Sequence, residues 1–226
     1  MIYCLTIGDN PAHFFSNPYF NFSSGSPLSK EYQRKDYLHQ RAKDEGYRSR
    51  ASYKLIELDK RFNLLRSGLK VLDLGAWPGG WLQVVARKLG NSGVIVGIDL
   101  QKIEDFGGDN VHLICGDARD EENLQAMLSL AGGRFDLVIS DMSPKLTGIR
   151  EVDSAATVGC AELALYLAQQ SLRQGGNLVI KLFKSNDSEQ FVKSMRPMFN
   201  KVKRVELDAT RSSSNEFYVL GFEFAG

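Results

Sequence analysis

Short apolar runs rich in Val, Ile and Leu recur along the chain from residue 70 onward, and longer amphipathic stretches separate them. The runs are apolar at successive positions, which is typical of strands buried on both faces of a parallel sheet. Five strands are predicted in this way, in KVLDLG (70–75), VIVGID (94–99), VHLICGD (111–117), FDLVISD (135–141) and NLVIKLF (177–183). Helices are predicted between them, near residues 79–90, 120–131, 153–174 and 187–199. This alternation predicts an α/β protein with a doubly wound sheet.

The C-terminal pattern is different, because two strand-like segments follow each other with only a short polar link. They are KVKRVELDA (201–209) and EFYVLGFEF (216–224). A link of this length cannot make a parallel crossover, so this pair should be antiparallel. We therefore expect a Rossmann-like fold with a mostly parallel, seven-stranded sheet and an antiparallel last strand.

No strand is predicted in the N-terminal part of the chain. Residues 1–29 are rich in Asn, Ser, Phe and Pro without a period, which indicates an irregular extension. Residues 30–46 are charged and helix-forming, with Gly46 as a stop, and a second amphipathic helix is predicted over 49–62. We expect a single domain over 30–226, with basic N-terminal helices in 30–66.

Composition mainly excludes classes of protein. The chain has 226 residues, 43% of them hydrophobic, which suits one α/β domain. No apolar run approaches the roughly 18 residues of a membrane-spanning helix, and the N-terminus lacks the pattern of a secretory signal. The three cysteines and three histidines are scattered, so we expect neither disulfides nor a metal site. A cytoplasmic monomer that does not bind membranes is the expectation.

A glycine-rich turn, LDLGAWPGGW (72–81), follows the first predicted strand. Gly75, Gly79 and Gly80 have no Cβ, so the backbone can approach a ligand closely, and Pro78 stiffens the turn. The turn lies at the carboxyl end of a strand, where open α/β sheets bind their ligands. The sequence therefore predicts a ligand site here, and Trp77 and Trp81 flank it.

Four predicted strands carry an aspartate at or near the carboxyl end, and these are Asp73, Asp99, Asp117 and Asp141. A single such residue is usually a helix cap or a turn residue, but four beside a glycine turn favour a binding site. Asp99 suits ribose hydroxyls and Asp117 an adenine amino group. The turn has neither the GxGxxG nor the P-loop spacing, which argues against NAD and nucleotide triphosphates. A nucleoside cofactor with little or no phosphate, such as S-adenosylmethionine, fits better.

Lysine inside an apolar strand is costly to bury unless it is paired or functional, and Lys181 stands in NLVIKLF. Together with Lys54, Asp141 and Glu216 it resembles the K-D-K-E tetrad of the FtsJ/RrmJ-type RNA 2′-O-methyltransferases. The segments RSRASYKLIELDKRF, VLDLGAWPGGW, SDMSP and VIKLF resemble that family in the same order. The resemblance runs from about residue 23 to the C-terminus.

This resemblance implies S-adenosylmethionine-dependent methylation of a uridine ribose in the A loop of 23S ribosomal RNA, within the large ribosomal subunit. Lys181 is then the catalytic residue, as a base or as a hydrogen-bonding orienter of the 2′-hydroxyl, with Lys54, Asp141 and Glu216 around it. The expected cofactor-binding residues are Gly75, Pro78, Gly79, Gly80, Trp81, Asp99, Asp117 and Asp141. Trp77, Ser143 and Lys145 depart from the usual family pattern but leave the tetrad intact.

Charge supports a polyanion partner. Residues 1–70 contain 12 of the 28 Lys and Arg residues but only 7 of the 27 Asp and Glu residues. For any single basic residue a solvated helix face is the more frequent role, but the cluster, interleaved with tyrosines, favours RNA. The predicted RNA-binding residues are Arg34, Lys35, Arg48 and Arg50.

Three other functions remain open at this point. A transfer-RNA or messenger-cap 2′-O-methyltransferase would share the tetrad, so the motif does not separate these substrates. A non-catalytic Rossmann-like RNA-binding module would not need an intact tetrad. A small-molecule methyltransferase would not need the basic N-terminal stretch.

Overall fold

The computed structural model describes residues 30–145, 147–211 and 214–226, apart from the side chains of residues 30–36 and 150. The predicted extension 1–29 lies outside the described residues. Six helices and seven strands are formed in the described part, in the order α1 (Lys30–Asp44), α2 (Ser52–Phe62), β1 (Lys70–Leu74), α3 (Gly80–Leu89), β2 (Val94–Asp99), β3 (Val111–Cys115), α4 (Glu121–Leu130), β4 (Phe135–Ser140), α5 (Arg150–Ser171), β5 (Leu172–Phe183), α6 (Asn186–Met195), β6 (Phe199–Val205) and β7 (Glu216–Phe224).

The seven strands form one sheet in the order β3-β2-β1-β4-β5-β7-β6. Strands β1 to β5 pair in parallel, and β7 is antiparallel to both of its neighbours, β5 and β6. The predicted fold class, including the antiparallel last strand, is confirmed. Because β7 inserts between β5 and β6, its first residue lies close to the carboxyl end of β5.

The continuous apolar runs are explained by burial on both sheet faces. Along β1, Val71 packs with α2 and α3, whereas Leu72 and Leu74 pack with α4, α5 and α6. Successive strand residues point to opposite faces, so a strand covered on both sides has no polar position to alternate with. The sheet is thus the middle of three layers, and the α2–α3 face is the one that carries the candidate chemistry.

Several element boundaries differ from the prediction: the helix expected near 187–199 ends at Met195, and the strand expected over 201–209 is β6, Phe199–Val205. The helix expected to reach residue 174 ends at Ser171, and β5 starts at Leu172 instead of 177. Leu172 is buried and pairs with Phe135 of β4, and the Arg173 guanidinium lies 2.5 Å from the Asp136 carboxylate. These contacts join residues distant in sequence, so local periodicity could not reveal them.

Gly93, in the turn between α3 and β2, provides a test of this packing. Its φ is +82°, and a methyl group there would overlap the carbonyl oxygen of Leu69. Gly107 has the matching φ of +83° but open space around its missing Cβ. Both alanine substitutions carry backbone strain of about 1–3 kcal/mol. We expect Gly93→Ala to lower the free energy of unfolding in urea clearly more than Gly107→Ala does. Equal losses of unfolding free energy in the two variants would contradict the close approach of Gly93 to the Leu69 carbonyl.

Candidate active site

The four tetrad residues reach one place from four elements. Lys54 lies on α2, Asp141 directly follows β4, Lys181 lies in β5, and Glu216 begins β7. Ser140 pairs with Ile180, which sets Asp141 beside Lys181 at the carboxyl edge of the parallel strands. Lys181 itself pairs with Tyr218 of β7. All the strand residues of this set lie on the sheet face that α2 and α3 cover.

Opposite charges alternate through the cluster. The Lys54 ammonium lies 2.6 Å from Glu216 Oε1 and 3.9 Å from Asp141 Oδ1. The Lys181 ammonium lies 3.1 Å from the same oxygen of Asp141 and also donates to the Asp141 main-chain carbonyl. Lys54, Lys181 and Glu216 are buried, with exposures of 7–9%. Charges this buried are tolerated only when each has a partner, so the four side chains hold one another in position.

Tyr218 is a member of the cluster that the sequence analysis did not identify. Its buried hydroxyl donates a 2.6 Å hydrogen bond to Asp141 Oδ1, and its ring centroid lies 5.8 Å from the Lys54 ammonium. Burial, and then the charges of Asp141 and Glu216, raise the pKa of Tyr218 well above its usual value. A signal for it existed, because Tyr218 stands two residues after Glu216 and strand residues at that spacing share a face.

The glycine turn is held to the sheet by hydrogen bonds from the amides of Gly75 and Ala76 to the Ile98 carbonyl, at 3.0 and 3.1 Å. Gly75 and Gly79 have φ values of +72° and +105°, in the region that glycine adopts without strain. Side chains close over both: a Cβ on Gly75 would overlap Met142, and one on Gly79 would meet Arg48 at 2.9 Å. The turn is therefore a tight cradle with no room for larger residues.

The other predicted cofactor residues differ in their surroundings. Asp99 accepts hydrogen bonds from the amides of Trp77 (3.0 Å) and Gln101 (2.8 Å), so it joins the glycine turn to the loop after β2. The Asp117 carboxylate is paired with the Arg119 guanidinium, whose hydrogen bonds hold the pKa of that carboxyl below its usual value. Pro78 presents its carbonyl to Arg48 at 3.2 Å, and Gly80 begins α3.

The two tryptophans lie in different environments. Trp81 is buried in the core, and its indole N–H donates to the Ala51 carbonyl at 2.8 Å. This contact joins α3 to the start of α2, so Trp81 has a structural role beside the glycine turn. Trp77 is half exposed at the rim.

Asp73 is the most unusual carboxyl of the site. It is 1% exposed, and its Oδ2 has no hydrogen-bond partner among the described residues. Burial raises the pKa of Asp73 well above its ordinary value, and the charges of Asp141 and Asp99 act in the same direction. An unpartnered buried acceptor beside a glycine cradle is suited to a ligand that brings a hydrogen-bond donor or a positive charge.

A groove of about 1250 Å³ includes Lys54 and Glu216 in its lining. It exceeds the roughly 300–1,000 Å³ of typical small-molecule pockets, which suits a polymeric substrate. Arg50, Lys184 and Arg211 line it as well, so cations stand beside the tetrad. Acidic side chains from the starts of α5 and α6 also take part in the lining.

Of the four predicted RNA-binding residues, Arg48 and Arg50 have side chains that the structure describes, and these two contact different parts of the fold. Arg50 lines the groove, donates to the Ala209 carbonyl at 2.8 Å, and has its pKa lowered by burial and by the nearby Arg211. The Arg48 guanidinium instead meets the loops around the glycine turn. Arg34 and Lys35 lie on α1, and their side chains fall outside the described residues.

The part of the chain that the structure describes contains neither a cluster of metal ligands nor a membrane-spanning helix. No group of three or more His, Cys, Asp or Glu side chains there is placed to hold a metal ion. Among the described helices, none is both long and apolar enough to span a membrane.

Comparison with known proteins gives concordant matches. The family model of the FtsJ-like methyltransferases matches residues 47–224. The protein named ribosomal RNA large subunit methyltransferase E from Methanothermobacter thermautotrophicus is 41% identical over 194 residues, which are 86% of this chain and 92% of that protein. The protein of the same name from Pseudomonas fluorescens is 41% identical over 84% of this chain and 90% of its own length. A crystal structure of a Plasmodium falciparum ribosomal RNA methyltransferase superimposes with a TM-score of 0.71, at 26% identity, over 80% of this chain and all of that one.

The raised pKa of Asp73 predicts how stability depends on pH. The folded chain holds this proton more tightly than the unfolded chain, in which an aspartate has a pKa of about 3.9. The neutral carboxyl therefore makes its full contribution to the free energy of unfolding when the pH is below the unfolded-state pKa. That contribution is lost as the pH rises through the folded-state pKa. Relative to the wild type, Asp73→Asn should gain unfolding free energy from about pH 4 upward, by at most about 1.4 kcal/mol per pH unit.

Urea unfolding of the two proteins across that pH range measures this difference. The asparagine keeps the size of the side chain but does not ionise, so any pH-dependent difference between the two proteins comes from Asp73. A difference that stays constant with pH would show that Asp73 ionises normally in the folded chain.

Proposed function

The chain belongs to the FtsJ-like methyltransferase family, and from that premise we propose that it transfers a methyl group from S-adenosylmethionine to a ribose 2′-hydroxyl of large-subunit ribosomal RNA. The observation that carries this proposal is the buried cluster of Lys54, Asp141, Lys181 and Glu216 between the glycine turn and the groove. The names of the relatives support ribosomal RNA as the substrate over transfer RNA or a messenger cap. The uridine in the A loop of 23S RNA, action as a monomer and a cytoplasmic location belong to the same proposal.

The residues at the glycine turn fit S-adenosylmethionine. Gly75 and Gly79 give the turn its tight positive-φ backbone at the carboxyl end of β1, and Asp73 supplies an unpartnered acceptor beside it among the described residues. Each oxygen of Asp99 accepts one backbone amide and retains capacity for ribose hydroxyls. The cofactor would supply an electrophilic methyl group on a sulfonium ion.

We assign to Lys181 the role of holding the substrate hydroxyl. Its ammonium has three N–H donors, and Asp141 takes two of them among the residues that the structure describes. The remaining donor can hydrogen-bond the 2′-oxygen and stabilise the negative charge that develops there when the hydroxyl proton is lost to water in the groove. Asp141, held in turn by Tyr218, fixes the direction of that donor. Lys54 and Glu216 complete the charge balance at the groove wall.

RNA would enter along the groove. The carbon that bears the hydroxyl to be methylated is bonded directly to the carbon that bears the 3′-phosphate, so a phosphate must lie near the tetrad. Arg50 and Arg211 stand in the groove lining, close enough for their charges to act on each other. A phosphate between them would relieve that repulsion, which supports this part of the groove as the path of the backbone.

Replacement of Lys181 tests the assignment. Lys181→Ala removes the donor to the 2′-oxygen and should reduce methyl transfer by about 100- to 10,000-fold, the usual effect of losing a proton-handling or orienting group. Cofactor affinity, measured by calorimetry, should stay close to that of the wild type. The exposed Lys201 on β6 provides the matched control, and Lys201→Ala should leave turnover unchanged.

Ribosomal subunits that lack the modification are the appropriate substrate for this assay. Incubation with labelled S-adenosylmethionine, followed by mapping of the labelled ribose, identifies the nucleotide. Near-normal turnover by Lys181→Ala would refute the catalytic role. Lys181→Arg keeps a charged hydrogen-bond donor but cannot act as a base, so activity retained by that variant would favour the orienting role.

Replacement of Arg50 tests the path of the RNA. Arg50→Ala should weaken binding of an RNA fragment and reduce the slope of log affinity against log salt concentration by about 0.7–0.9, the value for one lost phosphate contact. Arg66→Ala, at an exposed position outside the groove lining, is the matched control and should leave the slope unchanged. Filter binding at several salt concentrations measures both. A slope that Arg50→Ala leaves unchanged contradicts the proposed path.

A further inference from the structure

Arg48 and Arg50 are two residues apart and look equivalent in the sequence, but their side chains contact different parts of the fold. Arg50 lines the groove. The Arg48 guanidinium donates to the carbonyl of Pro78 at 3.2 Å, to that of Glu104 at 2.5 Å and to that of Asp105 at 3.3 Å. Its charge is therefore directed into main-chain carbonyls of two loops.

Further contacts hold Arg48 at the same junction. Its guanidinium carbon lies 5.0 Å from the centre of the Phe106 ring, and its side chain passes directly over Gly79. The Arg48 amide donates to Gln83 Oε1 of α3 at 2.8 Å. One residue thus contacts the glycine turn, the first turns of α3, and the loop 101–109 that follows β2.

These two loops are the ones that flank the proposed cofactor site. The loop 101–109 begins two residues after Asp99, whose carboxylate accepts the amides of Trp77 on one side and Gln101 on the other. Residues 102–107 form no regular hydrogen-bonding ladder of their own, so their position depends on contacts from outside the loop. The Arg48 guanidinium supplies three such contacts, two to the loop and one to the glycine turn.

We propose that Arg48 is a positioning residue of the cofactor site, which sets the separation between the glycine turn and the loop 101–109. The inference rests on the proposed function only in taking the site at the glycine turn as the place of S-adenosylmethionine. Arginine is required because its planar group presents several donors in a fixed fork, whereas a lysine ammonium is a single point on a flexible stem. Arg48 also stands six residues before Lys54, so the same tie connects the cofactor loops to the helix that carries a tetrad lysine.

Paired variants of the full chain test this role. Arg48→Ala should raise the dissociation constant and the KM for S-adenosylmethionine by about tenfold or more, since it removes hydrogen bonds from a charged donor. RNA affinity, its salt dependence, and kcat at saturating cofactor should remain near the wild-type values. Arg50→Ala, the matched control, should show the reverse: weaker RNA binding with an unchanged cofactor dissociation constant.

Hydrogen exchange without cofactor gives a readout independent of activity. Amides of the loop 101–109 should exchange faster in Arg48→Ala, whereas amides of β4 and β5 should keep their protection. A uniform loss of protection would instead mean general destabilisation and would overturn the specific role. Arg48→Lys keeps the charge and most of the packing, so it should fold even if the alanine variant does not, and it should still bind the cofactor weakly. Full recovery of cofactor affinity by lysine would overturn the need for the fork.

The two proposals fail in different ways. If the wild-type protein neither binds S-adenosylmethionine nor methylates ribosomal subunits, the proposed function is wrong. If the wild type does both, and Arg48→Ala loses RNA affinity while its cofactor affinity is unchanged, then Arg48 is an RNA contact and only the present inference is overturned.

Discussion

Charge compensation in a buried place is the constraint on which the candidate site depends. Lys54, Lys181, Asp141 and Glu216 would each be costly inside the fold alone, and each is tolerated because an opposite charge lies within 2.6–3.9 Å. The cluster draws on four elements, so the pairing also fixes α2, β4, β5 and β7 relative to one another. The buried Tyr218 hydroxyl also holds Asp141 in position through a hydrogen bond. A site built in this way presents its donors in a prepared direction, which is the property that catalysis by positioning requires.

The segment 48–54, which includes the start of α2, contacts both the glycine turn and the groove. Arg48 reaches back to the loops of the glycine turn, Arg50 faces the groove, and Lys54 enters the tetrad. Ser52 and Trp81 join the same segment to α3 through hydrogen bonds of 3.0 and 2.8 Å. The geometry of methyl transfer requires donor and acceptor to meet in line within a few tenths of an ångström. A single segment that contacts both sides is a direct means to that precision.

Much of the fold followed from local pattern. The buried parallel strands appear in the sequence as continuous apolar runs, and the short link between the last two strands required an antiparallel pair, which the structure confirms. The boundary between α5 and β5 was wrong, because Leu172 is held in the sheet by Phe135 of a distant strand. Tyr218 was overlooked although its spacing from Glu216 indicated a common face, since a tyrosine in an apolar strand is usually a core residue.

The sequence by itself determined which strands form, which residue types stand at their ends, and that a lysine in β5 needed a partner. These properties depend on local periodicity and on the cost of burying charge, both of which can be evaluated along the chain. Only the tertiary structure decided which partner each charge has and where Arg48 and Arg50 point. Both arginines lie in the turn between α1 and α2, where no helical or strand period predicts the direction of a side chain. Their directions are set by the main-chain carbonyls that the folded chain brings near them.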